Sequence, residues 1–194
     1  MNAPTTLGER FVAAFEEAFR IHQLDLRKGT TIPYVSHLMA VTALVLESGG
    51  DEDEAIAALL HDAAEDHGGE RRLAVIADRF GGRVTKLVEG LSDTLSEDKE
   101  EWKPRKERYL AHLRAENDPA ILRISRADKL HNARAILRDY LVESDALWAR
   151  FKVGVDDQLW YYGELAAIFS LKLPGVLSDE LAEIVDTLRA KTAS

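Results

Sequence analysis

Apolar residues recur at helical spacing along nearly the whole chain, and no segment sustains the alternation of a half-buried strand. Over residues 7–24, Phe11, Ala14, Phe15, Ala18, Phe19 and Leu24 fall near i, i+3, i+4 spacing and predict an amphipathic helix. A polar loop follows over residues 25–32. Pro33 is suited to open the next helix, which carries His37, Met39, Val41, Leu44 and Val45 and stops at Gly49-Gly50. Asp51, with Glu54 three residues on, has the form of a capping box. The helix from Glu52 is expected to continue through the apolar run AIAALL and then through His61-Asp62-Ala63-Ala64-Glu65-Asp66, ending at Gly68-Gly69. Short helices follow at about 70–80 and 82–92, parted by Gly81-Gly82.

The most polar stretch, residues 92–105, reads as a loop leading into a helix over about 104–115. Asp118-Pro119 is a good N-cap and first-turn pair for a helix through Tyr140. One long helix is expected over about 145–171, and a last one over about 178–191 after Pro174-Gly175. There is no internal repeat, low-complexity segment or interdomain linker. The expected fold class is all-α: one helical-bundle domain over residues 1–194, with a core at about 10–170 and C-terminal helices at about 145–191 packing on it.

Composition narrows the function. With 194 residues, 46% hydrophobic and 30% charged, the chain is long enough to bury a real core and has the balance of a soluble protein. A net charge of −9 argues against a non-specific nucleic-acid binder, which needs a basic surface. A small polyanion is still accessible, given a local basic cluster or a metal. The absence of cysteine removes disulfides, thiolate nucleophiles and thiolate metal sites, and fits a reducing compartment. No basic segment followed by an apolar stretch opens the chain, so no signal peptide is expected, and no apolar run approaches the length of a membrane span. The cytoplasm is the expected location. Oligomeric state is not legible.

The chemistry centres on His61-Asp62-Ala63-Ala64-Glu65-Asp66. One imidazole and three carboxylates follow directly on an apolar helix, where an uncompensated charge costs several kcal/mol. A divalent cation would resolve the conflict. His37 and Asp128, both among apolar neighbours, are candidates to join His61 and Asp62 in a mixed nitrogen and oxygen ligand set. Such a set suits Mn, Fe, Co, Ni or Zn, whereas Mg prefers oxygen alone. Taken singly, His37 also reads as a hydrogen-bonded core residue, and Asp128 as a partner of Arg126 or Lys129. Glu65 and Asp66 are four residues beyond His61 and Asp62, which on a continuous helix puts them one turn on and within reach of a water at the ion. Asn132 shares a helix face with Asp128. Basic groups for a charged substrate are Arg27-Lys28 and, after the acidic stretch, Lys103, Arg105 and Lys106; the second cluster reads equally as a solvated face.

Three segments, RKGTTIPYVSH, ALLHDAAEDHG and RADKLHNARAI, resemble the HD superfamily of metal-dependent phosphohydrolases. Within it they are similar to the hydrolase domain of RelA/SpoT-type proteins in its stand-alone form, the small alarmone hydrolases. The likeness extends over about residues 10–170. It implies that His37, His61, Asp62 and Asp128 hold a metal, usually Mn²⁺, and that Glu65 and Asp66 position or activate the attacking water. It implies further that Arg27 and Lys28 contact the nucleotide, Arg27 packing on the base, with Asn132 on the substrate side and Tyr161 near the ribose. The chain departs from the family pattern in the spacing of Gly29 ahead of Pro33-Tyr34, and in His67, where Thr is common after the Glu-Asp pair.

The implied activity is hydrolysis of the 3′-pyrophosphate of guanosine tetra- or pentaphosphate, (p)ppGpp, to GDP or GTP and pyrophosphate. A hydrolase without a synthetase half is expected from 194 residues. The alternative is an HD-type phosphatase for another nucleotide such as NADPH, with the same metal site and a different pocket.

Overall fold

A computed structural model describes residues 5–92 and 101–193. The chain forms two compact units, Met1–Lys99 and Glu100–Ser194. Both are helical, and among the described residues the only extended pairing is an isolated bridge between Leu26 and Pro33. The all-α class read from the sequence is the class observed. No helix among the described residues is long and apolar enough to cross a membrane.

The first unit holds α1 (Glu9–His22), α2 (Val35–Glu47), α3 (Glu52–Leu60), α4 (Ala63–Asp66), α5 (Gly69–Phe80) and α6 (Gly82–Leu91). Helix α3 is its centre, packed against α1, α2 and α6. Every residue from Glu54 to Leu60 is buried, as the uninterrupted apolar run requires. Its start is set by Asp51, whose side chain accepts the Glu54 backbone N–H at 3.0 Å.

Two expectations for this unit change. The side of α1 that faces inward is not aromatic: it buries Ala14, Ala18 and Glu17, while Phe15 and Phe19 stay exposed. Glu17 is tolerated there because Arg72, at 3.0 Å, and Arg79 both reach its carboxylate from α5. The helix from Glu52 also does not run on to Gly68. It ends at Leu60, His61-Asp62 form a turn, and α4 restarts at Ala63. Asp62 sits at φ −93° and ψ −6°, and the Asp66 N–H bonds back to its carbonyl at 3.0 Å.

The second unit holds α7 (Trp102–Ala115), α8 (Pro119–Glu143), a 3₁₀ segment (Ser144–Arg150), α9 (Val155–Lys172) and α10 (Val176–Thr192). Helix α8 packs on α9, α10 and the 3₁₀ segment. Asp118 caps it, accepting the Ala120 N–H at 3.0 Å, with Pro119 in the first turn as expected. Helix α7 begins two residues ahead of Pro104. A proline is accommodated there because the first turn of a helix has no partners for its N–H groups. Residues 93–100 of the expected loop lie outside the described residues.

The single helix expected at about 145–171 is divided in two. Ser144 adopts φ 52° and ends α8. Arg150 then folds the 3₁₀ segment back by binding Asp139, at 3.1 Å, and Glu143. Gly154 caps the start of α9.

Candidate metal centre and substrate-side residues

His37 lies just inside the first turn of α2, and His61 at the C-terminal end of α3. They are 1% and 4% exposed, with rings 5.3 Å apart and edge to face. His61 is held by a contact of 2.8 Å between Nδ1 and the Ala58 carbonyl. That bond makes Nδ1 the donor and directs Nε2 to the other side, where Asp62 Oδ2 lies 2.9 Å away. His37 Nε2 lies 3.7 Å from the same oxygen. Two imidazole nitrogens and one carboxylate oxygen thus converge inside the first unit. His61 and Asp62 supply theirs from the junction between α3 and α4.

The donor set fits a divalent cation. It combines buried neutral-capable imidazoles with a half-buried carboxylate, and a carbonyl fixes one ring. Tyr34 donates its O–H to Asp62 Oδ2 at 2.5 Å. No spacing rule would have found it, since Tyr34 and Asp62 stand 28 residues apart.

Glu65 and Asp66 occupy the last two positions of α4. Glu65 is half-buried and Asp66 exposed. They stand on the turn of helix that follows the ligand pair, and the bond from the Asp66 N–H to the Asp62 carbonyl keeps the expected four-residue relation of those two. Arg27 and Lys28 belong to a closed loop. The Arg27 N–H donates to the Ile32 carbonyl at 2.8 Å, and the Tyr34 N–H to the Asp25 carbonyl at 2.9 Å. Gly29 turns that loop at φ 70°. The Arg27 guanidinium lies 5.6 Å from the Tyr34 ring centre, and Lys28 is exposed. Arg27 therefore lies against the ring of the residue that orients Asp62.

In the second unit, Asp128 is buried on α8 at 6% exposure. It accepts from Lys129 Nζ at 2.7 Å and from Asn132 Nδ2 at 2.6 Å. Asn132 does share its face, and of the two cations considered as partners Lys129 is the one bound. Arg126 turns away to the Leu173 carbonyl at 3.0 Å and Ser178 Oγ at 3.2 Å. The basic cluster at the head of α7 is seated on aromatic rings. Lys103 Nζ is 3.6 Å from the centre of Trp160 and 2.9 Å from Asp157. Lys106 Nζ is 5.0 Å from the centre of Tyr161. Tyr161 is 4% exposed, with Trp102 edge-on at 5.8 Å, and Arg105 is half-buried.

Residues 14–153 match the family model described as HD domain. Among curated proteins, the chain is 34% identical over 129 residues to a guanosine-3′,5′-bis(diphosphate) 3′-pyrophosphohydrolase of Aquifex aeolicus, covering 66% of this chain and 18% of that one. It is 30% identical over 141 residues to the bifunctional (p)ppGpp synthase/hydrolase SpoT of Escherichia coli K12, covering 68% and 19%. It is 36% identical over 126 residues to a probable GTP pyrophosphokinase of Mycobacterium leprae, covering 63% and 15%. The chain spans less than a fifth of the length of these relatives. Among solved structures, a metazoan SpoT ortholog described as hydrolysing ppGpp superposes with a TM-score of 0.73 at 23% identity, covering 94% of this chain and 97% of that one. A crystal structure from Listeria monocytogenes superposes with a TM-score of 0.68 at 29% identity, covering 82% and 99%.

Proposed function

The chain belongs to the HD-domain family, and we propose that it is a metal-dependent phosphohydrolase that removes the 3′-pyrophosphate of (p)ppGpp. The observation that carries this reading is the sharing of one carboxylate oxygen, Asp62 Oδ2, by His61, His37 and Tyr34. The names of the Aquifex and Escherichia relatives supply the substrate class.

In this reading His37, His61, Asp62 and Asp128 hold the cation, taken as Mn²⁺, and the two units act as one hydrolase domain. When bound, the cation polarises the phosphate and acidifies a nearby water. The remaining work falls to the chain. Glu65 orients the attacking water and accepts its proton, and Asp66 assists from the rim. Water attacks the phosphorus next to the ribose 3′ oxygen, that P–O bond breaks, and the proton returns to the 3′ oxygen. The products are GDP or GTP and pyrophosphate. Arg27 stacks on the base, a task for which a planar guanidinium is better suited than an ammonium. Lys28, Lys103, Arg105 and Lys106 offset phosphate charge, Asn132 contacts the substrate, and Tyr161 packs near the ribose. With a nucleotide as substrate, the working compartment in this reading is the cytoplasm.

Purified protein incubated with Mn²⁺ and ppGpp should yield GDP and pyrophosphate. Asp128→Ala should lose turnover and metal binding together. Absence of turnover across several divalent metals, or release of orthophosphate from a different nucleotide in preference, would overturn the assignment.

A further inference from the structure

Across the Tyr34 ring from the centre around His61, three side chains of the first unit meet from three separate segments. His22 ends α1, Asp25 lies in the loop beyond it, and His67 directly follows α4. Asp25 Oδ2 is 2.9 Å from His22 Nδ1 and 2.6 Å from His67 Nε2. Each of the three offers a donor atom within 4.8 Å of the other two. His22 is 1% exposed, and its other ring nitrogen, Nε2, is buried without a hydrogen-bond partner. The side chains of Asp25 and His67 are each 35% exposed. The proposed hydrolysis uses none of these groups.

We propose that His22, Asp25 and His67 form a second divalent-cation site, separate from the one at His37, His61 and Asp62 and selective for a transition ion such as Zn²⁺ or Co²⁺. Two imidazoles and one carboxylate are a borderline donor set that favours these ions over Mg²⁺ or Ca²⁺, which seek oxygen. Metal–ligand bonds of about 2.0–2.2 Å hold tetrahedral donor atoms a little over 3 Å apart. Asp25 Oδ2 stands closer than that to both imidazole nitrogens, by roughly 0.4–0.7 Å, and the two partly exposed side chains have room to part. Burial lowers the His22 pKa against the opposing pull of Asp25, so the ring is held in the neutral form that ligates. Ligation through Nδ1 moves the ring proton to Nε2, where no existing hydrogen bond is broken.

An ion here would fasten together three pieces of the first unit: the end of α1, the loop bearing Arg27-Lys28, and the residue after Glu65-Asp66. With three protein ligands it would keep at least one position open toward solvent, suited to water or an anionic oxygen. The site stands whether or not the phosphohydrolase reading does.

The test is a count of ions per chain. Protein stripped with a chelator is loaded with Zn²⁺, freed of excess ion, and measured by plasma mass spectrometry. Wild type should carry two ions, and His67→Gln and Asp25→Asn one each. His61→Ala should also carry one, and that ion should vanish when His67→Gln is added. Co²⁺ loading of His61→Ala should give an absorption spectrum that Asp25→Asn abolishes. Circular dichroism reports whether each variant is folded, and Asp25→Asn, the near-isosteric change, is decisive should His67→Gln not be. A single ion in wild type that both His67→Gln and Asp25→Asn retain, or two ions kept by both variants, would overturn the proposal. Two ions together with no hydrolysis of ppGpp would leave this site standing and sink the assigned activity.

Discussion

Tyr34 donates its O–H to Asp62 Oδ2 at 2.5 Å, so an aromatic residue at the head of α2 holds the carboxylate that lies between the two buried imidazoles. Tyr34 is itself braced. Its N–H binds the Asp25 carbonyl at 2.9 Å, and its ring stacks on His22 with centroids 5.0 Å apart. A bond of this kind fixes the orientation of a metal ligand, and its loss typically lowers affinity by roughly 10–100-fold. Tyr34→Phe should weaken Mn²⁺ binding by that order while leaving the fold intact. Competition against a chelating dye measures it; an unchanged affinity would mean that the histidines alone orient Asp62.

Glu65 stands on α4 beyond the ligand pair, on its own turn of helix. In the proposed reaction it handles the proton of the attacking water and does not hold the ion. Glu65→Gln should therefore keep the metal and lower kcat by roughly 10²–10⁴-fold, the usual worth of a general base. Ion content and turnover are measured on the same preparation. A variant that loses its metal along with its rate would make Glu65 a ligand.

The helices and their caps were largely legible because they depend on local pattern. Asp51 and Asp118 cap where their spacing to the first turn predicts, and Gly81 divides α5 from α6. What escaped depends on contacts distant in sequence. Nothing near residue 17 indicates that Glu17 is buried, because its partners Arg72 and Arg79 come more than 50 residues later. The break at His61-Asp62 is hidden because both residues keep right-handed backbone angles, so only the packed structure separates α3 from α4. The residue types at the candidate centre were readable, but the atom that unites them, Asp62 Oδ2, was not. Its role follows from its contacts with His37 and Tyr34, 25 and 28 residues earlier in the chain.

Gly50 is required by space rather than by backbone angle. A Cβ there would stand 2.5 Å from Val45 Cγ1 and 2.9 Å from the Val45 carbonyl oxygen, which already accepts the Gly50 N–H. The carbonyl cannot move without breaking the close of α2. Gly50→Ala should cost about 1–3 kcal/mol, the usual penalty for overpacking. Thermal melting should show it as a drop of about 2–4 °C per kcal/mol. Gly82→Ala, with open space around its Cβ, is the control and should melt near wild type.

Asp51 gives a pH-dependent test of the cap that starts α3. Burial opposes its ionisation, but the Glu54 backbone N–H and the Arg83 guanidinium outweigh it and hold the carboxyl below its ordinary value. Arg83 lies 2.8 Å away. A carboxyl with a lowered folded pKa binds protons more weakly in the folded chain than in the unfolded one. Its stabilisation is complete above the unfolded pKa, about 3.9, and is lost as pH falls through the lower folded value. Asp51→Ala should cost about 1 kcal/mol at neutral pH, typical of a lost N-cap. The gap in melting temperature between wild type and variant should hold constant from pH 8 to pH 5 and close in stronger acid. Asp51→Asn, which can still cap, should retain most of the stability at neutral pH and show no such closing relative to Asp51→Ala. A gap that widens in acid would mean that the charge of Asp51 works against the fold.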